Sequence, residues 1–201
     1  MTTSHEPEQV SGSQARTRAA ILAATASVLA RNRSATLPDI ADAAGVGRTT
    51  LHRYFADRER LIHEATQDSI RVIDETIAHA ATDQGPALDA MHRFINAMVS
   101  GGDRILFLFR DTTTPRYSER ERARRLGEAA YQPNTEPVVA LIKRGQDEGA
   151  FDPELSVAWI AHALYALIRQ GCEDVNGGEL LLHTVAPTVI RTFERGICTP
   201  G

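Results

Sequence analysis

The sequence has few cysteines and no long apolar run. Its two cysteines, Cys172 and Cys198, show neither a C-x-x-C spacing nor nearby clustered histidines. We therefore expect reduced thiols that pack in the interior, with a metal ligand or a disulfide as the alternative. No stretch of about 20 apolar residues is present, and the N-terminus lacks the basic-then-apolar pattern of a secretory signal. These absences predict a soluble protein that stays in the cytoplasm.

Catalytic motifs are also missing. The chain contains no G-x-S-x-G, no H-E-x-x-H, no E-x-x-H pair and no phosphate-binding loop. His162 and Glu173 are not spaced to share one helix face. The sequence therefore favours a binding protein over its alternative, an α-helical enzyme, and predicts no catalytic residue, no metal site and no cofactor.

Charge is distributed unevenly along the chain. The whole chain carries a net charge of −4 and only one lysine, Lys143. Residues 14–60, however, hold eight arginines against four acidic residues, whereas the rest of the chain holds 14 basic and 22 acidic residues. A basic N-terminal segment on an acidic body is the pattern expected when only that segment meets a polyanion such as DNA.

Apolar residues recur every three or four positions from about residue 14 onward, which predicts helices, and no alternating strand pattern appears. Glycine and proline cluster between the periodic segments, including residues 171–178. We predict an all-α fold of about nine helices after a disordered tail at residues 1–13. The ten periodic segments from which these helices are expected span about 14–31, 37–44, 48–54, 57–82, 87–100, 103–110, 118–131, 136–148, 153–170 and 179–196.

The basic segment contains the signals of two helices joined by a three-residue turn. Thr36 can cap the first of them, with Pro38 in its first turn and Asp39 as the reciprocal acid. Gly45 can close that helix in a left-handed conformation. Gly47 then precedes the second helix, where it is a weaker cap than serine or threonine. This arrangement predicts a helix-turn-helix, whose second helix fits the major groove of DNA.

The second helix should be held by Leu51 and Phe55 on its inner side. Asp57 can cap the next helix, and Arg58 lies in its first turn, where a cation opposes the helix dipole unless phosphate is near. An ordinary solvated surface, packing by Tyr54 and a pH switch at His52 are the alternatives. The outer face presents donors at Arg48, Thr49, Thr50, His52, Arg53 and Tyr54.

The stretch TLPDIADAAGVGRTTLHRYFADRERLI resembles the N-terminal signature of the TetR family of transcriptional regulators. The match covers about residues 15–62 together with the chain length and helical plan. The resemblance implies homodimers that bind near-palindromic operators, usually as repressors released by a small ligand. It also implies a helix-turn-helix DNA-binding domain at 14–60 and a ligand-binding and dimerisation domain at 61–201.

By motif position, the resemblance implies that Thr50, His52 and Tyr54 of the second helix face the groove and backbone of DNA. It also implies that Arg58 contacts a phosphate. We add Thr36 to the set of predicted DNA-binding residues. Two departures affect the contacts: Gly47 replaces a frequent serine or threonine, and His52 replaces a frequent tyrosine.

The two most apolar helices, about 153–170 and 179–196, are predicted to pair with their copies in a second subunit as a four-helix interface. Residues 157–168 carry no charge, so this helix cannot be a surface helix with one buried face. The alternative is that both helices form the core of a monomer.

A ligand pocket is expected among the central helices, suited to a small apolar or aromatic molecule. Core packing is the alternative for each of its residues, and a ligand-independent binder or activator is the alternative for the whole protein. The candidate pocket residues are Phe94, Met98, Phe107, Tyr131, Trp159, His162 and Tyr165.

Overall fold

The computed structural model describes residues 12–109 and 136–198. Within these ranges the chain is helical, without a β-strand, and an isolated bridge pairs Phe151 with Cys198. The all-α prediction is confirmed. The described helices are α1 (Gly12–Arg31), α2 (Leu37–Ala43), α3 (Arg48–Tyr54), α4 (Arg58–His79), α5 (Ala87–Ser100), α6 (Gly102–Phe109), α7 (Glu136–Asp147), α8 (Val157–Gly177) and α9 (Leu182–Ile197).

The chain divides into two compact units between Ala65 and Thr66. In the first unit, α2 packs on α1 and on α3, and the start of α4 completes the core. The predicted inner positions Leu51 and Phe55 are confirmed, because their side chains are almost fully buried. The core of this unit also contains Ile21, Leu22, Ile40 and Leu61.

The first unit runs to Ala65, five residues past the predicted limit at residue 60, and includes the buried Leu61 and Ala65. At its other end, Gly12 and Ser13 belong to the first turn of α1. Burial against other helices, which local sequence does not reveal, sets the boundary at Ala65.

The second unit is organised around α5, which contacts α6, α7, α8 and α9. Its buried side carries large apolar residues, while α8 and α9 pack extensively on each other. The buried residues of α5 are Ala87, Ala90, Met91, Phe94, Ile95, Met98 and Val99.

Cys172 on α8 is a free, buried cysteine. Burial, and secondarily the charges of Asp103 and Glu173, raises the pKa of its thiol to about 11, so the thiol stays protonated at neutral pH.

The predicted break over residues 171–178 was wrong at its start, because α8 continues through Gly171 to Gly177. Gly171 is needed for close packing instead of for a turn. A Cβ atom placed there would lie 2.6 Å from Cγ1 of Val185 on α9. The absence of a side chain therefore lets the two helices approach, which a local reading of glycine as a helix breaker misses.

Other helix limits differ less from prediction. α8 begins at Val157, after Ser156, whose hydroxyl accepts a hydrogen bond from the Trp159 amide at 3.2 Å. α9 begins at Leu182 and includes Pro187 within the helix. The helix predicted at 118–131 lies outside the described residues.

A charge cluster joins α4 to α6 inside the second unit. Nη1 of Arg104 donates to Asp68 at 2.7 Å and to the buried Ser69 hydroxyl at 3.2 Å. Arg71 donates to the same carboxylate at 2.7 Å. Partial burial alone would raise the pKa of Asp68, but hydrogen bonds from Arg71 and Arg104 outweigh it and hold the pKa below its usual value.

We expect Asp68→Asn to reduce the free energy of unfolding by about 1–3 kcal/mol at pH 7, because the arginines lose a charged acceptor. A depressed folded-state pKa contributes stability that is present above about pH 4 and is lost as the pH falls through the folded value. The difference between variant and wild type should therefore shrink in acid. Urea unfolding at pH 7 and near pH 3 measures this, with the exposed Asp83→Asn as the control. A difference independent of pH would contradict the prediction.

Candidate nucleic-acid interface

Helix α2 begins with a capping box between Thr36 and Asp39. The Thr36 amide donates to the Asp39 carboxylate at 2.7 Å, and the Thr36 hydroxyl accepts from the Asp39 amide at 3.5 Å. Hydrogen bonds to the carboxylate, first from the Thr36 backbone and then from its side chain, lower the pKa of Asp39. The predicted cap is confirmed, and the hydroxyl that was assigned to the DNA-binding set is engaged within the protein.

The turn between α2 and α3 has the left-handed residue that the sequence predicts at Gly45. Gly45 has a φ of 66°, and the Val46 amide reaches the Ala41 carbonyl at 3.0 Å while the Gly45 amide reaches the Asp42 carbonyl at 3.1 Å. This pair of bonds is a Schellman motif, which needs a left-handed residue at its centre. Gly47 supplies no side-chain hydrogen bond to α3, so tertiary contacts must hold the seven-residue helix.

Helix α3 has one buried side and one solvent-exposed side. Leu51 is buried, whereas Arg48, Thr49, His52 and Arg53 are exposed and together form the solvent-facing side of the helix. This four-residue surface is called the α3 outer face below.

Thr50 and Tyr54 are half-buried at the edges of the α3 outer face. The Arg53 guanidinium lies 5.6 Å from the centre of the Tyr54 ring, and that ring in turn lies 6.5 Å from Phe55. Tyr54 therefore both packs and supports Arg53, so its predicted groove contact and its packing alternative are compatible.

Acidic partners neutralise other arginines of this unit. Glu64 pairs with both Arg18 and Arg60, and Arg18 also lies 5.8 Å from the centre of the Phe55 ring. In contrast, neither Arg48 nor Arg53 forms an ion pair with any residue that the structure describes. The uncompensated positive charge therefore includes the α3 outer face, which suits it to a polyanion.

Arg58 is placed differently from its expected phosphate contact. Its guanidinium donates to the Ala35 carbonyl at 2.6 Å and to the Arg33 carbonyl at 3.0 Å, both in the loop between α1 and α2. The Asp57 cap of α4 is confirmed, since the Arg60 amide donates to the Asp57 carboxylate at 2.8 Å.

The predicted pocket residues do not all lie together. Phe94 and Met98 are buried on α5, and the ring centres of Phe94 and Tyr165 lie 6.2 Å apart in a T-shaped arrangement. Burial raises the pKa of Tyr165 to about 12, and its buried hydroxyl has no hydrogen-bond partner in the described part of the chain. Phe107 is half-buried on α6.

Two of the predicted pocket residues lie away from this buried cluster, and a third lies outside the described residues. Trp159 is 60% exposed and His162 is also exposed, because the buried face of α8 follows Ile160, Leu164 and Ile168 instead. Uniform apolarity along α8 concealed which face is internal. Tyr131 falls in residues 110–135, which the structure does not describe.

Two arginines that sequence reasoning missed hold the turn after α4. Arg93 donates to the carbonyls of Ala80 and Ala81 at 2.9 Å each, and Arg144 donates to those of Thr82 and Asp83 at 3.0 and 2.6 Å. An open groove of about 190 Å³ lies beside this turn, lined in part by Asp74 and Ile77. No local spacing could reveal bonds that span as many as 62 residues.

Across residues 12–109 and 136–198, no three histidine, cysteine or carboxylate side chains are grouped so as to hold a metal ion. No helix in those ranges is long and apolar enough to span a membrane.

Known proteins share this arrangement. A family model described as bacterial regulatory proteins of the tetR family matches residues 21–65. The HTH-type transcriptional repressor LfrR of Mycolicibacterium smegmatis is 30% identical over 193 residues, covering 96% of each chain. The crystal structure of LfrR from Mycobacterium smegmatis superposes with a TM-score of 0.71 at 28% identity, covering 94% of this chain and 100% of that one. The crystal structure of LfrR in complex with proflavine superposes with a TM-score of 0.65 at 27% identity, covering 92% of this chain and 99% of that one.

Proposed function

Because the chain belongs to the TetR family of bacterial regulatory proteins, we propose that it is a homodimeric repressor of transcription. In this proposal the dimer binds a palindromic operator, and a small apolar or aromatic ligand releases it. The relatives of this chain are transcriptional regulators, so its regulatory role follows from the family. What we propose in addition is the homodimer, the palindromic operator and the kind of ligand. Because a protein that binds an operator works where the DNA is, we also propose that it acts in the cytoplasm of a bacterial cell.

The observation that carries the proposal is the α3 outer face. Two exposed arginines stand beside Thr49 and His52 on a short helix whose opposite side is anchored by the buried Leu51. Arginine can bind phosphate or a guanine edge, and threonine and histidine can donate to phosphate or base edges. A seven-residue helix with such a face fits the major groove, as the second helix of a helix-turn-helix does.

Dimerisation is supported by exposed apolar residues on the last two helices. Trp159 on α8 is 60% exposed, and Leu181 and Leu182 at the start of α9 are 66% and 61% exposed. Small exposed residues such as Ala158 and Ala166 lie on the same side of α8 as Trp159. Such a surface is typical of a protein–protein interface, and small residues let a facing helix approach. We therefore propose that α8 and α9 form a four-helix interface with their copies.

A ligand is supported by the relative and by α5. LfrR has been crystallised in complex with proflavine, which is a planar aromatic molecule. In this chain Phe94, Met98 and Tyr165 bring aromatic and thioether surface together around a hydroxyl that has no partner among the described residues. We propose that an apolar or aromatic ligand binds beside these residues and favours a dimer that does not fit the operator.

Selection of duplexes from a random pool tests the DNA proposal. We expect an inverted repeat whose half-sites lie about one helical turn apart, roughly 10 base pairs, or a multiple of it. On the selected duplex, the logarithm of affinity should fall with the logarithm of salt concentration with a slope of about −5 to −7, as for six to eight phosphate contacts. A pool without enrichment, or a slope near zero, would contradict the proposal.

Addition of proflavine to the same complex tests the ligand proposal. Binding to the free protein at about 100 times the dissociation constant should add roughly 2.7 kcal/mol to the free energy of unfolding. Because a planar acridine can also intercalate into the duplex, release supports ligand-induced derepression only if it follows the concentration range of protein stabilisation and occurs below the range in which proflavine binds the duplex alone. Thermal stabilisation without release would favour the alternative, a regulator that binds DNA regardless of ligand. If proflavine does not bind, the same measurements are repeated with a series of aromatic compounds that lack the acridine ring system.

A further inference from the structure

Arg58 forms a bridge between two parts of the DNA-binding unit. It is the first residue of α4, and its two terminal nitrogens donate to the carbonyls of Ala35 and Arg33, which lie 23 and 25 residues earlier. Both carbonyls belong to the loop between α1 and α2. The bridge therefore joins the start of α4 to the segment that leads into α2.

Short-range bonds also hold the loop that Arg58 contacts. The Asn32 side-chain oxygen accepts from the Ser34 amide at 3.0 Å and from its hydroxyl at 2.7 Å, and the Ala35 amide donates to the Asn32 carbonyl at 3.1 Å. Ala35 immediately precedes Thr36, the capping residue of α2. Any shift of this loop would therefore move the start of α2 and, through the tight turn at Gly45, the recognition helix α3.

The bridge also explains an unfavourable feature of the sequence. A cation in the first turn of a helix opposes the helix dipole, and a nearby phosphate would be one remedy. Here the two loop carbonyls already provide negative partial charge to the guanidinium. A planar guanidinium carries donors on separate nitrogens, so one side chain can hold two carbonyls in a fixed geometry.

The far end of α4 is held by the same chemistry. Arg93 and Arg144 donate to four carbonyls of the turn that follows α4, from Ala80 to Asp83. At both ends of α4, therefore, arginine guanidinium groups donate hydrogen bonds to the carbonyls of an adjacent loop. This repetition supports a structural use of Arg58 that differs from a contact with DNA.

We propose that Arg58 is a positioning residue for DNA recognition, which fixes α2 and α3 relative to α4 by holding the α1–α2 loop, and that it is not a phosphate ligand. The inference rests on the proposed operator binding. It assigns to Arg58 an effect on affinity that acts through the placement of the α3 outer face.

The test compares Arg58→Met with Arg48→Met, the same substitution on the α3 outer face. Operator affinity is measured over a range of salt concentrations, at a temperature where circular dichroism shows each variant fully folded. We expect Arg58→Met to bind at least about tenfold more weakly, with the salt slope of wild type. Arg48→Met should weaken binding and flatten the slope by about 0.9 for each phosphate that is no longer neutralised, or roughly 1.8 for a dimer.

A second variant, Arg58→Lys, keeps the charge and remains informative if the methionine variant is unstable. One ammonium nitrogen cannot occupy both guanidinium positions, so we expect weaker binding with the wild-type slope. Wild-type affinity in Arg58→Lys, or a flattened slope in Arg58→Met, would identify a phosphate contact and overturn the inference. A lower melting temperature with unchanged affinity of the folded protein would also overturn it, because the role would then be stability alone. If wild type binds no duplex, the proposed function itself fails.

Discussion

Arg53→Ala is expected to weaken operator binding by between about 30-fold and about 10⁴-fold while leaving the fold and the dimer intact. A specific arginine contact contributes about 1–3 kcal/mol, and a homodimer loses two of them. The side chain is exposed and packs only along the Tyr54 ring, so its removal costs the folded protein little. Fluorescence anisotropy on the selected duplex measures the loss, and sedimentation reports the dimer.

Lys143→Ala is the control for this charge change. Lys143 is an exposed residue of α7 in the second unit, so its removal subtracts the same charge without touching the α3 outer face. We expect its affinity to stay within about twofold of wild type, because the proposal places no phosphate contact on this residue of the second unit. Equal losses in Lys143→Ala and Arg53→Ala would mean that net charge, and not the α3 outer face, determines binding.

The local part of the recognition unit could be predicted from sequence because its determinants lie within a few residues of one another. Thr36 and Asp39 are three residues apart, and together they define the start of α2. Gly45 alone permits the positive φ that ends it. Leu51 and Phe55 then identify the buried side of α3 by helical spacing. Each inference used a single turn of chain and needed no knowledge of the rest of the fold.

Features that depend on distant residues could not be predicted in this way. From sequence alone Gly171 resembles a helix end. Its role in packing depends on Val185, 14 positions later, whose side chain occupies the space beside it. Arg58 lies in a motif that implies a phosphate contact, but its carbonyl partners are fixed only when the α1–α2 loop folds back on α4. For Gly171 the tertiary neighbour shows a packing role that the residue type did not indicate, and for Arg58 the tertiary partners are the basis of the proposed positioning role.

The face of α8 is a third such case, and it has a consequence for assembly. Twelve uncharged residues indicated burial on more than one side, and the exposed positions of the folded chain then include Ala158, Trp159 and Ala166. An apolar face that the single chain leaves exposed is an unfavourable surface in water. A second subunit would remove it from solvent, which connects the high apolarity of this helix to the proposed dimer.

Ala166→Glu is therefore expected to dissociate the dimer without unfolding the subunit. Ala166 is exposed in the single chain, so a glutamate there stays solvated in the monomer and preserves helix propensity. In the proposed four-helix interface two unpaired carboxylates would be buried, at a cost of several kcal/mol each. We expect the dimer dissociation constant to rise by at least about 10³-fold, measured by sedimentation over a concentration series.

Loss of the dimer should also reduce operator affinity, because two linked recognition helices bind with an effective concentration near millimolar that separate subunits lack. Ala140→Glu provides the matched control: it places the same residue at an exposed position of α7, where Arg144 lies one turn later. This variant should remain a dimer and bind normally. A dimeric Ala166→Glu variant with wild-type dissociation would place the subunit contact on another surface, and the apolar face of α8 would then need a different partner.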